Sequence, residues 1–309
     1  MRMIRMLACL CLAVVLSSCI TFDGQTMTYR YDRENDRILI FQVYENICCT
    51  GPAVVSTNFP RPKEALPTDT EKTELESVMK GQRTFFFANW IFEYNCEDSV
   101  KKIKEMKEDI QKTNCEEKAQ MEAAMSLGEQ LIPSVAISNG GFYLDSKERL
   151  CGYQYVTVAN VSKLIPQANK LISQYLQDDL SKTNFIEESN RKQVEDAIKA
   201  GNWIQLQGNQ LRIAAVSDKD IAEEYRESRE KKNDLIGNIV KNVEVRYHRP
   251  VAEIIIGRSD QSVTELASPS SSAVKTNLID FVKQTYGLRK KVPVSRLRDK
   301  FLKTGRIPE

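Results

Sequence analysis

The sequence predicts an α+β fold, in which antiparallel β-hairpins and sheet are flanked by amphipathic helices. Three observations carry that prediction. Stretches of strand-like polarity broken by tight turn signals occur at residues 27–44, 135–158 and 203–217, the mark of antiparallel pairs. Residues 162–180 place Leu164, Ala168, Leu171, Ile172 and Tyr175 on one helical face. The order of elements runs hairpin, helices, strands, helix pair, hairpin, helix, strands, helices. That is not the regular β-α-β alternation of a doubly wound fold, and no residue-level repeat underlies it.

The first hairpin follows from Met27, Tyr29 and Tyr31 on one face, a polar turn at Arg33-Glu34-Asn35-Asp36, and the apolar return through Ile38 and Ile40 to Tyr44. Residues 50–70 hold Gly51, Pro52, Pro60, Pro62 and Pro67, so a loop is expected. A short helix over 70–80 stops at Gly81. The run TFFFANWIF is expected as one buried strand packed in the core. Residues 98–130 are dense in Lys and Glu and predict a helix with a break near Thr113-Asn114. Their sparse apolar positions, Val100, Ile103, Ile110, Met121 and Met125, leave a narrow packing stripe.

Three short strands are expected around Val135, around Phe142 and over 153–158. Asn139-Gly140-Gly141 and Asp145-Ser146-Lys147 supply the turns. The helix over 162–180 tolerates Pro166 near its first turn, and a second helix over 187–199 ends at Gly201. Gly208-Asn209 divides WIQLQGNQLRIAAVS into a hairpin. Residues 218–241 predict a helix with a fully polar middle at 226–234. VEVRYHRPVAEIIIG is a strand pair, or one strand broken at Pro250. Residues 258–273 are serine-rich and predict a loop. Val274, Leu278, Phe281 and Val282 form an amphipathic helix, and a last helix is capped by Ser295 and closed by Gly305.

The first nineteen residues are MRMIRMLACLCLAVVLSSC. Arg2 and Arg5 make a positive start, and residues 6–16 form an apolar core of signal-peptide length. A helix of that length rises about 17 Å, short of the roughly 20 residues a membrane span needs. Leu16-Ser17-Ser18-Cys19 resembles the lipobox of bacterial lipoproteins, and the resemblance covers the signal segment alone. It implies that residues 1–18 are removed and that Cys19 carries palmitate-type acyl chains. Residues 19–26 would then be the lipidated cysteine and a short tether, and 27–309 an α+β envelope domain with a possible sub-boundary near 181–186. Two or more acyl chains anchor a protein stably, where one does so only marginally. In that family an Asp after the cysteine favours inner-membrane retention. Ile20 stands there, which points to the outer membrane where the host has one.

Removing residues 1–18 takes away two arginines and no acids, leaving 42 Lys and Arg against 42 Asp and Glu. A chain so balanced lacks the basic footprint of a general nucleic-acid binder. Of eight cysteines, the resemblance implies that Cys9 and Cys11 leave with the signal and that Cys19 takes lipid. Cys48, Cys49, Cys96, Cys115 and Cys151 remain as disulfide candidates in an oxidising compartment. Without a C-x-x-C pair, neither a redox motif nor a zinc knuckle is indicated.

His248 is the one histidine. It sits in RYHRP at a strand end, where a surface or turn role suits it, and no G-x-S-x-G or phosphate loop accompanies it. No catalytic, cofactor or metal residue is assigned. Acidic pairs at Asp178-Asp179 and Glu187-Glu188 fall at helix ends, where carboxylates serve capping and dipoles. Residues 288–309 carry eight Lys or Arg against Asp299 and Glu309. That basic tail is a candidate contact for anionic lipid, with a solvated terminal helix as the alternative. The expected role is a lipid-anchored envelope protein acting as a binding or structural component, with protein partners unspecified. A solute- or partner-binding lipoprotein with an apolar pocket and a carboxylate-based hydrolase are the alternatives.

Overall fold

The structure is a computed structural model and describes residues 20–50, 67–86, 90–93, 96–112, 118–182, 188–216, 242–248, 250–269, 275–289 and 292–308. Regular structure is present at the first of these. Strand β1 (Ile20–Thr21) is followed by β2 (Gly24–Asp32), β3 (Arg37–Glu45) and β4 (Cys48–Thr50), and β4 returns to pair antiparallel with β1. Ile20 and Phe22 are each only 2% exposed. The expectation of a tether over residues 20–26 is therefore corrected. Two large apolar side chains in that stretch enter a hydrophobic cluster with Tyr44, Leu75 and Val78, and β2 begins at Gly24 rather than Met27.

The β2–β3 hairpin turns through a single 3-10 turn at Arg33–Asn35, with Asp36 in the left-handed region at φ 47°. The Asp32 carboxylate accepts hydrogen bonds from Asn35 (2.9 Å) and Arg37 (2.8 Å), which ties the turn together. Helix α1 (Asp69–Met79) opens on a capping box. The Thr68 hydroxyl accepts from the Glu71 amide, and the Glu71 carboxylate accepts from the Thr68 amide.

The aromatic run expected as one strand is two: β5 (Arg83–Phe86) and β6 (Trp90–Glu93), paired from Arg83↔Glu93 to Phe86↔Trp90. The aromatic run reads as continuous when hydrophobicity alone is followed, so the division into two paired strands is hidden. Two helices follow, α2 (Cys96–Lys112) and α3 (Lys118–Ser134). The break expected near Thr113-Asn114 lies outside the described residues. Ile103 is buried, and Lys107 bridges to Glu129 at 2.8 Å, so the two helices lie side by side.

Strands β7 (Val135–Leu144) and β8 (Leu150–Ala159) replace the three short strands expected here. Asn139-Gly140-Gly141 makes a β-bulge rather than a turn. A Cβ on Gly140 would overlap the ring of Tyr153, so glycine is required for close approach. The Asp145 turn is as expected, with its carboxylate accepting from the Lys147 and Arg149 amides at 2.9 Å.

Helices α4 (Val161–Lys182) and α5 (Glu188–Ala200) match the expected pair, and Gly201 adopts φ 61° after the second. Hairpin β9 (Ile204–Gln207) and β10 (Gln210–Val216) turns at Gly208-Asn209. The helix expected over 218–241 lies outside the described residues. β11 (Val243–His248) and β12 (Val251–Ile256) form an antiparallel pair, which settles the two alternatives at Pro250.

The serine-rich loop is corrected in part. β13 (Thr264–Pro269) pairs with β2 along its whole length and buries Thr264 and Leu266. Backbone pairing to a waiting edge outweighs the weak strand propensity of its side chains. β14 (Lys275–Asn277) pairs with β4, so helix α6 (Ile279–Thr285) starts later than Val274. Helix α7 (Val294–Thr304) begins after Pro293, with no side-chain cap. Ser295 therefore lies inside the first turn, while Gly305 closes the helix at φ 65°.

These strands assemble into a five-stranded antiparallel sheet, β13-β2-β3-β8-β7, a four-stranded sheet, β11-β12-β10-β9, and the small sheet β1-β4-β14. The five-stranded sheet is covered on both faces. Met27, Tyr29, Ile40, Val156 and Ile137 form the core on one. Leu39, Phe41, Tyr153 and Tyr155 on the other lie under Phe301 and Leu302 of α7. This explains why β3 is apolar almost without alternation. Arg30 donates to the Leu302 carbonyl (2.7 Å) and the Lys303 carbonyl (3.1 Å), closing the C-terminal end of α7. The Phe301 ring stands 4.9 Å from that of Tyr155. Phe301→Ala is expected to cost about 3–5 kcal/mol in urea-induced unfolding, with the fold otherwise retained by circular dichroism.

Candidate functional site

The most concentrated polar chemistry among the described residues is buried beneath the five-stranded sheet. Strand register builds it. Gln42, Gln154 and Asn139 are cross-strand neighbours, and Gln25 lies opposite Tyr44. Opposed residues share a face, so these polar groups enter the same side as Ile40 and Val156. Gln42 is 0% exposed, and Thr84 and Gln154 are as deeply buried.

The groups bond to one another and to nearby backbone. Gln25 donates to Gln42 Oε1 (2.5 Å), and Gln42 Nε2 donates to Thr84 Oγ1 (3.0 Å). The Tyr44 hydroxyl stands 2.7 Å from Gln42 Oε1 and 2.8 Å from Gln154 Oε1, and its one proton serves them in turn. Gln154 Nε2 donates to the Arg83 carbonyl (2.9 Å) and Asn139 Oδ1 (3.0 Å), and Asn139 donates to the Val78 carbonyl. Arg83 lies 3.7 Å from the carboxylate of Glu74, both largely buried. The seam thereby fastens α1 and β5 to the sheet. Its members are amides, hydroxyls and one ion pair, and at 0–1% exposure Gln42, Thr84 and Gln154 are placed to fix one element against another.

A small cavity adjoins the seam, lined by Ile20, Phe22, Tyr44, Phe142, Asn139 and Gln154. Its free volume is about 20 Å³. That accommodates roughly one water, against the several hundred Å³ of a small-molecule site.

The cysteines are distributed through the fold. Cys48 and Cys151 are free, buried thiols. Burial pushes the Cys48 thiol from an ordinary 9.0 to about 12 and raises that of Cys151 as well, so both are held protonated and unreactive. Cys49 lies in β4 and Cys96 opens α2. Cys19 and Cys115 fall outside the described residues. His248 ends β11, in register with Val251. Asp178 accepts a hydrogen bond from the Gln120 amide; Asp179 follows it on α4, Glu188 opens α5, and Glu187 falls outside the described residues.

In the basic tail, Arg296, Lys300 and Lys303 are exposed on α7. Arg298 is drawn to Asp299 (3.0 Å) and Glu265 (3.4 Å), and Arg289 donates to the Tyr153 hydroxyl (3.1 Å). Lys290 and Lys291 are outside the described residues. Among the described residues, no group of three His, Cys, Asp or Glu side chains is placed to hold a metal ion, and no helix is long and apolar enough to cross a membrane.

Comparison with protein-family models, curated proteins and solved structures finds no match to the chain.

The buried seam was not anticipated from sequence. A signal was present: Gln42 has the same strand parity as Ile38, Ile40 and Tyr44, so a polar residue occupies a core row. Tyr44→Phe removes the donor facing Gln154 Oε1, and we expect a loss of about 1–3 kcal/mol, measured as a lower urea midpoint at unchanged slope.

The raised Cys48 value has a definite pH consequence. An unfolded thiol ionises near 9, while the folded one keeps its proton to about 12. The stability this contributes is complete below pH 9 and is lost as pH rises towards 12. Urea midpoints recorded from pH 8 to 10.5 should fall less steeply for Cys48→Ala than for the parent chain.

Proposed function

We propose that the chain is a bacterial lipoprotein: an envelope component held to a membrane through acylated Cys19, acting by binding or as a structural element rather than by catalysis. One observation carries this reading. Arg2 and Arg5, the apolar residues 6–16 and Leu16-Ser17-Ser18-Cys19 occur in processing order and at processing distances. Ile20 in place of an Asp favours the outer membrane, though the same side chain is also needed in the core. The buried seam, with its mutually bonded amides, and the two buried, protonated thiols support a role in holding shape rather than in reaction. Exposed Arg296, Lys300 and Lys303 offer a secondary contact for anionic lipid, each worth about 1 kcal/mol near such a surface.

The test is Cys19→Ala in a bacterial host. The variant should incorporate no labelled palmitate and should leave the membrane fraction. Palmitate labelling that persists in the variant would refute the anchor.

A further inference from the structure

The two ends of the five-stranded sheet carry different chemistry. β1 lies at the end where β2 begins. It pairs with β4, which follows β3, and the Asp23 amide donates to the Glu45 carbonyl (2.7 Å). Cys19 directly precedes Ile20 of that strand. The other end is the β2–β3 turn. The nine residues Gly24–Asp32 separate the two ends, about 27 Å at 3.3–3.4 Å for each step.

The C-terminal end of α7 is fastened at that far end. Arg30 donates to the Leu302 and Lys303 carbonyls, and Arg37 donates to the Thr304 carbonyl (3.4 Å). A Cβ on Gly305 would overlap the Arg37 guanidinium, so the two segments are in contact. This groups Arg33 of the turn with Lys303 and Arg306, and Lys300 lies one turn back on α7. All four are exposed, and among the described residues none of their side chains has an ion-pair partner. Most acids around them are engaged. Asp32 holds Arg37 (2.8 Å), Asp36 accepts from Ser162 and Asp299 from Arg298, which leaves Glu34. Ile307, 51% exposed, follows Arg306. A lone exposed aliphatic side chain needs no explanation. One set among bases is the combination an interfacial contact uses, apolar insertion with attraction to anionic headgroups.

We propose that this corner is a second membrane contact, made to anionic lipid through Arg33, Lys300, Lys303, Arg306 and Ile307, so that the domain lies with β2 along the membrane rather than upright on its anchor. The proposal extends the lipid contact of α7 to the β2–β3 turn and rests on the lipoprotein reading for its anchored end alone. Distance separates the two poses. Upright on Cys19, the corner stands about 27 Å farther from the lipid, more than three Debye lengths of about 8 Å, and its bases feel little headgroup charge. In the lying pose each base at the surface raises partitioning about fivefold. Attachment at the other end makes the second contact intramolecular, so a weak surface affinity suffices.

The test uses the full chain as a bacterium makes it, carrying Ile307→Trp. It is reconstituted into vesicles of phosphatidylcholine alone or mixed with phosphatidylglycerol, with acyl chains brominated near the headgroup as quenchers. The parent chain, with Trp90 and Trp203 alone, supplies the background. The introduced indole should be quenched on anionic vesicles but not on neutral ones, nor at 1 M salt, where the Debye length is about 3 Å. Quenching should be lost when Arg33→Gln, Lys300→Gln, Lys303→Gln and Arg306→Gln are added, with flotation and urea midpoint unchanged. An indole left unquenched on anionic vesicles, or quenched equally on neutral ones, overturns the proposal. So does retention of the chain, but not of the glutamine variant, on immobilised polyphosphate without quenching on vesicles, which would assign the corner to a soluble polyanion. Failure of the parent chain to float with neutral vesicles overturns the anchor and with it the lying pose, while quenching on anionic vesicles would still support the corner's contact with lipid.

Discussion

Burial of β3 on both faces is the constraint on which the rest of the structure depends. A strand at the middle of a sheet with one wet face needs alternate polar side chains. β3 has almost none, so it demands a layer above and a layer below. One is supplied from the C-terminal end of the chain by α7, through Phe301 and Leu302. The other is supplied by the side chains facing α1 and the four-stranded sheet. The partners of β3 come from residues 24–32 and 150–159, so distant parts of the sequence are committed together once this strand is placed. Contacts of such separation carry a large loop-closure cost, and only extensive apolar burial offsets it.

The polar seam is the complement of that constraint. A face built of aliphatic side chains alone would let α1 and β5 slide across it. Gln42, Tyr44 and Gln154 give the face a fixed pattern of donors and acceptors, and Thr84, the Arg83 carbonyl and the Val78 carbonyl satisfy it in one arrangement. Buried groups left without partners carry a penalty, so the bonds that Gln42, Tyr44 and Gln154 make select one docking geometry.

Much of the fold was legible wherever a local pattern sufficed. The hairpins at residues 27–44 and 203–217 announce themselves by alternation and turn chemistry. The helix pair around Leu164 and Val194 does so by spacing and its terminal Gly201. The misreadings share one cause: tertiary context. β13 becomes a strand because the edge of β2 is waiting for it, which its serines do not reveal. Gly140 resembles a turn residue until Tyr153 is seen pressed against it. Ile20 and Phe22 resemble part of a tether until the cluster around Tyr44 is assembled. The seam was hidden for the same reason, since its members lie on separate strands and meet only through register.

The burial of Ile20 also bears on the order of events during maturation. On the proposed lipoprotein reading, an enzyme must reach the bond before Cys19 and the thiol itself. Yet the next residue is sealed between β4 and the core. On that reading, cleavage and acylation would precede the pairing of β1 with β4. The β1-β4-β14 sheet joins residues near 20 to residues near 275, so the strand that leads into β2 and the segment that leads into α6 are held by the same three strands.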